Sequence, residues 1–224
     1  MENKNREILA FLSDLRDNNM RPWFQANKAR YDAAREHLLD TTAWLIAHIA
    51  RFDDTVRYLE PKECLFRIYR DTRFSPDKSP YKRHFGTYIC AQGGHRSILS
   101  GYYLHLEPGH SALCGGVYCP DKETLKRVRT AIDIDFDDFE RIIAANDFRQ
   151  HFGTVVAYNT LQRVPQGFSA DSLAAKYLKF KEFIVEHHFT DDEVCAPDFF
   201  ENLLPMCQAM KPFNDFMNAA ILES

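Results

Sequence analysis

The hydrophobic period of this chain changes twice, and those changes bound the folds open to it. In the first third, apolar residues recur at helical spacing: Ile8, Phe11, Leu12 and Leu15 form one stripe. "NNMRP" interrupts the pattern. A longer helix is expected from near Pro22, a residue tolerated in a first turn, with Tyr31, Leu38, Thr42, Leu45 and Ile49 along one side. In the middle third the period drops to two. "CLFRIYR" sets Phe66 and Ile68 on one face and Arg67 and Tyr69 on the other, and "HFGTYICA", "GYYLHLEPG" and "SALCGGVYCP" follow as further strands. Gly93-Gly94 in "AQGGHRS" reads as a hairpin turn. Helix then returns in "PDKETLKRVRTAI" behind an Asp121 cap, in "DFDDFERIIAA", in "DSLAAKYLKFKE" and at the start signal "TDDEV". "EFIVEHHF" adds a fifth candidate strand. From about Pro197 the tail is rich in Phe, Leu and Met at helical spacing, with Pro205 and Pro212 expected to break or kink it. Helices, then strands, then mostly helices predict the α+β class: an antiparallel four- to five-stranded meander sheet packed by N-terminal and C-terminal helices. With 224 residues, no internal repeat and no linker, one domain over 1–224 with a sizeable core is expected.

Charge is distributed unevenly. "FRIYRDTRFSPDKSPYKRHFG", Phe66 to Gly86, holds six cations (Arg67, Arg70, Arg73, Lys78, Lys82, Arg83) against two acids (Asp71, Asp77). That local +4 leaves −8 for the rest of a chain whose total is −4. A basic island in an acidic body suits a small anionic ligand, or one acidic protein partner, better than a duplex backbone, so nucleic acid is not expected as a partner. Ser75-Pro76 and Ser79-Pro80 pair a capping residue with a rigid φ, so the loop is expected to hold tight turns whose N–H groups attract anions. Arginine matches phosphate or carboxylate with a planar fork, and lysine adds a point charge. Arg67, Arg70, Arg73, Lys78, Lys82 and Arg83 are therefore the candidate ligand-binding residues. The competing reading makes them a structural pin, with Arg67 and Arg70 paired to Asp71, Asp77 or helix acids.

The strand "GYYLHLEPG" puts Tyr103, His105 and Glu107 on one face and Tyr102, Leu104 and Leu106 on the other. With the meander in register, Arg67, Tyr69, His105 and Glu107 line one surface. A histidine with a carboxylate two residues on is a workable acid/base pair near neutral pH, which makes His105, Glu107 and Tyr69 the candidate catalytic residues, for hydrolysis or group transfer. The bland alternative is a half-buried sheet face with Glu107 paired to Arg67.

Other chemistry finds less support. His95, His105, His110 and Cys114 match no zinc spacing, and His187-His188 point to opposite faces of a strand, so no metal site is expected. There is no GxSxG elbow, Walker loop or dinucleotide fingerprint, and the residues indicate no particular cofactor. The six cysteines include no CxxC pair and read as reduced, buried small residues. No apolar run approaches the ~20 residues of a membrane helix. The start "MENKNREILAFLSDLRDNN" lacks a signal-peptide pattern, so a cytoplasmic protein without a membrane partner is expected. A non-catalytic interaction module, gripping an acidic surface through the basic loop and offering the aromatic-rich C-terminal region, is the rival to ligand binding.

The basic stretch, followed by "GYYLHLEPG" and "GGVYCP", resembles the bacterial and fungal family labelled domain of unknown function 2461. "NNMRPWFQANKARY" near the start is similar to that family's opening pattern, and "LQRVPQGF" and the Phe-rich tail also fit. The resemblance covers nearly the whole chain. It implies a single intracellular domain and carries no assigned catalytic residue.

Overall fold

The computed structural model describes residues 4–223. Residues 1–3, where the reading of the leader begins, lie outside the described residues. In chain order the elements are α1 (Lys4–Asp17), α2 (Arg21–Ala26), α3 (Lys28–Ile49), α4 (Pro61–Cys64), β1 (Phe85–Ile89), β2 (Tyr102–Leu106), β3 (Ser111–Val117), α5 (Lys122–Ile134), α6 (Phe136–Ala144), α7 (Asn146–Phe152), α8 (Ala175–Leu178), β4 (Phe183–Phe189), α9 (Asp191–Val194) and α10 (Phe199–Leu222). The strands form one antiparallel sheet in the order β1-β2-β3-β4, so the class is α+β. "EFIVEHHF" supplies β4. "CLFRIYR" is not a regular strand: it pairs only through isolated bridges, Leu65 opposite Thr87 and Tyr69 opposite Tyr81.

The chain divides into two compact units. One takes the chain up to Arg96, then Tyr103–Leu113 and His188–Leu204. Its core begins with the α1 stripe, where Ile8, Phe11, Leu12 and Leu15 are at most 1% exposed. Leu38, Thr42, Leu45 and Ile49 of α3 are buried as their spacing requires. The helix expected from Pro22 is two helices, because the chain leaves helical geometry at Asn27 (φ −107°, ψ 16°). The short α2 places Phe24 in an aromatic cluster, where it stacks on Tyr81 with ring centroids 4.0 Å apart and planes at 13°. Phe11 stacks on Phe85 of β1 at 6.2 Å. Gly93-Gly94 does not form a two-residue hairpin. It sits in a longer connection whose Gln92, Gly93 and Gly94 all have positive φ. Gly94 is demanded there, since a Cβ would lie 2.5 Å from the Glu63 carbonyl oxygen.

The second unit takes Ser97–Tyr102, Cys114–His187 and the chain from Pro205. Asp121 caps α5 by accepting from the Thr124 N–H at 2.7 Å. Val128 and Ile132 of α5 are fully buried, as are Phe139, Phe148, Phe183 and Phe213. "DSLAAKYLKFKE" yields only the single turn α8. Asn214 ties its helix to the start of the sheet: it accepts from the Ser100 hydroxyl at 2.6 Å and donates to the Gly101 carbonyl at 3.2 Å. The tail is one 24-residue helix, α10, that continues through Pro205 and Pro212, each removing one backbone donor without ending it. Among the described residues no helix is long and apolar enough to cross a membrane.

Candidate functional site

The basic stretch folds back on itself as an irregular ribbon. Three residues separate Leu65 from Tyr69, and five separate their partners Tyr81 and Thr87. The ladder therefore carries two extra residues on its second limb. Lys82 N–H donates to the Ile68 carbonyl at 2.8 Å and Phe66 N–H to the Gly86 carbonyl at 3.0 Å, so Arg83, His84 and Phe85 span the bulge between these bonds. A bend at Ile68 also ends the simple alternation of the first limb. Ile68 is buried in the core, 1% exposed. Phe66 instead faces Tyr103 (6.0 Å between ring centroids) and His95 (5.1 Å), with the Lys82 ammonium 5.0 Å above its ring.

The six candidate cations separate into four groups. Arg70 is half-buried and braces the loop: it donates to the Asp77 carboxylate at 2.5 Å, to Ser75 Oγ at 3.2 Å and to the Ser79 carbonyl at 3.3 Å. Asp77 also accepts from the Ser79 hydroxyl (2.6 Å) and N–H (2.9 Å), and these bonds, with Arg70, hold its carboxyl well below the usual range. Arg73 pairs with its neighbour Asp71 at 2.6 Å, lowering that carboxyl to about 2, and Lys78 donates to the Thr72 carbonyl at 2.9 Å. Lys82 is half-buried, and burial together with the Arg67 charge lowers its pKa. Arg67 and Arg83 are exposed and, among the described residues, make no hydrogen bond or ion pair.

A cleft of about 260 Å³ opens beside Arg70, lined by Arg21, Gln25, Tyr69, Arg70, Thr72 and Tyr81. Arg21, at the start of α2, was outside the sequence-derived set. It too makes no hydrogen bond or ion pair among the described residues. Nothing local in "MRPWF" singles it out; only the packing of α2 on the ribbon, through Phe24 and Tyr81, brings it into the same cleft as Arg70. Burial pushes the Tyr81 hydroxyl's pKa up, so it stays protonated at neutral pH and can donate a hydrogen bond. Tyr69 reaches the cleft because its ring lies with Phe24 (6.1 Å) and Tyr81 (5.4 Å).

On β2 the alternation holds. Tyr102, Leu104 and Leu106 are buried, at 3%, 5% and 1% exposure, while Tyr103, His105 and Glu107 share the other, half-buried face. His105 sits between two partners. Its Nδ1 is 3.0 Å from the Tyr103 hydroxyl and its Nε2 is 2.9 Å from Glu107 Oε2. The phenol that His105 meets is thus Tyr103. Tyr103 can approach because Gly86 lies beneath it: a Cβ there would be 2.9 Å from the Tyr103 oxygen. The Glu107 end is fixed by the β2–β3 turn, where Glu107 N–H donates to Ser111 Oγ at 3.1 Å and that hydroxyl donates to the Glu107 carbonyl at 3.0 Å.

The bulge adds a residue that period alone does not reveal. His84 lies with its ring centroid 4.2 Å from that of His105. Burial, then the charges of His105 and Lys82, lower its pKa to about 4 against the opposing pull of Glu107, so it is neutral at physiological pH. One donor atom each from His84, His105 and Glu107 lie within 4.8 Å of one another. These are the residues able to hold a cation, although their spacing along the chain matches no metal motif.

A family model described as "Conserved hypothetical protein (DUF2461)" matches residues 7–216. No curated protein and no solved structure matches the chain.

Proposed function

Because the chain belongs to the DUF2461 family, whose description assigns no activity, we propose a function from its own side chains: binding of a small anionic, phosphorylated ligand in the cleft between Arg21 and Arg70. One observation carries this reading. Two guanidinium groups from distant segments line the same cleft, and Arg21 has no protein acceptor among the described residues. Arg70 is pre-oriented by Asp77, which lowers the ordering cost of binding while leaving the pair of arginines with net positive charge. Gln25 and the Tyr81 hydroxyl add neutral donors. The His105–Glu107 pair lies outside that cleft's lining and is the separate candidate for proton transfer in hydrolysis or group transfer.

The experiment is a thermal-shift titration with inorganic phosphate and a panel of phosphorylated and carboxylated metabolites. A ligand at 100 times its Kd stabilises by about 2.7 kcal/mol. Arg21→Ala removes no hydrogen bond or ion pair among the described residues, so it should leave the ligand-free melting temperature nearly unchanged and abolish the ligand's shift. An equal shift in Arg21→Ala and wild type rules the cleft out.

Phe74 favours a second reading. It is 94% exposed on the basic loop, with the Arg73 guanidinium 5.8 Å from its ring. A loop carrying an exposed aromatic among cations suits the acidic face of a protein partner. Under this reading, replacing Lys78, Lys82 and Arg83 by Glu, or Phe74 by Ala, removes the partner, while Arg21→Ala retains it.

A further inference from the structure

We propose that His84, His105 and Glu107 form a three-ligand site for a divalent transition-metal ion of the Zn²⁺ class. The donor set is the first argument. Two imidazoles and one carboxylate are the ligands of catalytic zinc sites and of facial-triad iron sites, and three protein donors leave at least one position open to water. Geometry is the second. His105 and Glu107 project from the same face of β2, two residues apart, and His84 comes from the bulge preceding the neighbouring strand β1. Ligands on two paired strands are held to each other by the ladder, and the bulge supplies the third from the side. Bonds of about 2.1 Å in a tetrahedral site set donors about 3.4 Å apart. The present separations are compatible with that value: His105 Nε2 and Glu107 Oε2 are 2.9 Å apart, and all three donors lie within 4.8 Å of one another.

The hydrogen bond behind His105 is the third argument. Metal-bound histidines also donate their second ring N–H to a fixed acceptor, and Tyr103 stands 3.0 Å from His105 Nδ1. The phenol hydroxyl can rotate between donor and acceptor. With no metal it donates to Nδ1, and Nε2–H donates to Glu107. With a metal bound, the single imidazole proton sits on Nδ1 and donates to the Tyr103 oxygen, Nε2 and the Glu107 carboxylate take the ion, and no net proton is gained or lost. Lys82, whose charge acts on His84, opposes cation binding, and the Glu107 carboxylate offsets it. The hydrogen-bonded row Tyr103–His105–Glu107 and the metal site thus share His105 and Glu107. The site is independent of the cleft beside Arg21: its failure leaves anion binding there untouched.

The test uses full-length protein stripped with a chelator. Zn²⁺ is titrated in competition with a chromophoric chelator, and Co²⁺ binding is followed by its visible d–d absorption. The expected result is one saturable equivalent of Zn²⁺ and a Co²⁺ spectrum without thiolate charge transfer, which separates this site from the exposed Cys119. Glu107→Gln and His84→Ala should each weaken Zn²⁺ by more than the ten- to hundredfold typical of losing an outer partner, and Tyr103→Phe by about tenfold. His110→Ala, on the exposed β2–β3 turn, should bind like wild type. Circular dichroism of each variant confirms folding, and Glu107→Gln stands in if His84→Ala does not fold. No saturable equivalent in wild type, or undiminished affinity in a folded Glu107→Gln variant, overturns the site.

Discussion

His84 makes the stability of this protein depend on pH in a direction opposite to that of a salt-bridged histidine. Its pKa is lowered from 6.5 to about 4 by burial first, then by the charges of His105 and Lys82, with Glu107 pulling the other way. Above pH 6.5 the imidazole is neutral both folded and unfolded and contributes no pH dependence. As pH falls below 6.5 the unfolded chain takes up a proton that the folded chain refuses, so the unfolded state binds more protons and stability declines. The loss is complete once pH passes below about 4, where the folded imidazole also protonates. Each pH unit within that window costs about 1.4 kcal/mol at most, so by pH 5 this one group removes about 2 kcal/mol. The perturbation is His84→Gln, which cannot titrate. The assay is urea unfolding of both proteins at pH 7.5 and pH 5.0 with chelator present. Wild type should lose about 2 kcal/mol more than His84→Gln between the two pH values. Equal losses would show that His84 is not shielded from water and that the bulge does not bury it as described.

Three other outcomes follow from particular contacts. Asp77→Asn keeps the Ser79 turn but removes the charge paired with Arg70, so phosphate affinity at the cleft, measured by thermal shift, should rise. Gly116→Ala should destabilise by about 2 kcal/mol or more in urea melts, because φ is +101° and the new Cβ would lie 2.0 Å from the Phe183 carbonyl oxygen. Gly86→Ala should displace the Tyr103 hydroxyl from His105, seen as a changed His105 ring-proton chemical shift by NMR, while the fold persists.

The hydrogen-bonded row on β2 was legible because its cause is local. A strand alternates its faces every residue, so "YYLHLE" alone sets Tyr103, His105 and Glu107 together and buries Tyr102, Leu104 and Leu106. The same holds for the α1 stripe, the Asp121 cap and the Thr190 capping box, each the work of a few consecutive residues. In the basic stretch, the concentration of charge was equally plain, and so were acids close enough to pair with it.

What pairs with what was decided by tertiary structure. The sequence by itself established the α+β class, the two faces of β2 and a cationic segment between Phe66 and Gly86. Tertiary structure alone decided that Arg70 and Arg73 are paired within the loop, that Arg21 lines the same cleft as Arg70, and that His84 meets His105. The reason is register. A period describes one segment, whereas a bulge of two residues and the docking of α2 depend on how separate segments pair, and that pairing is set by burying Phe24, Ile68 and Tyr81 together in a common core.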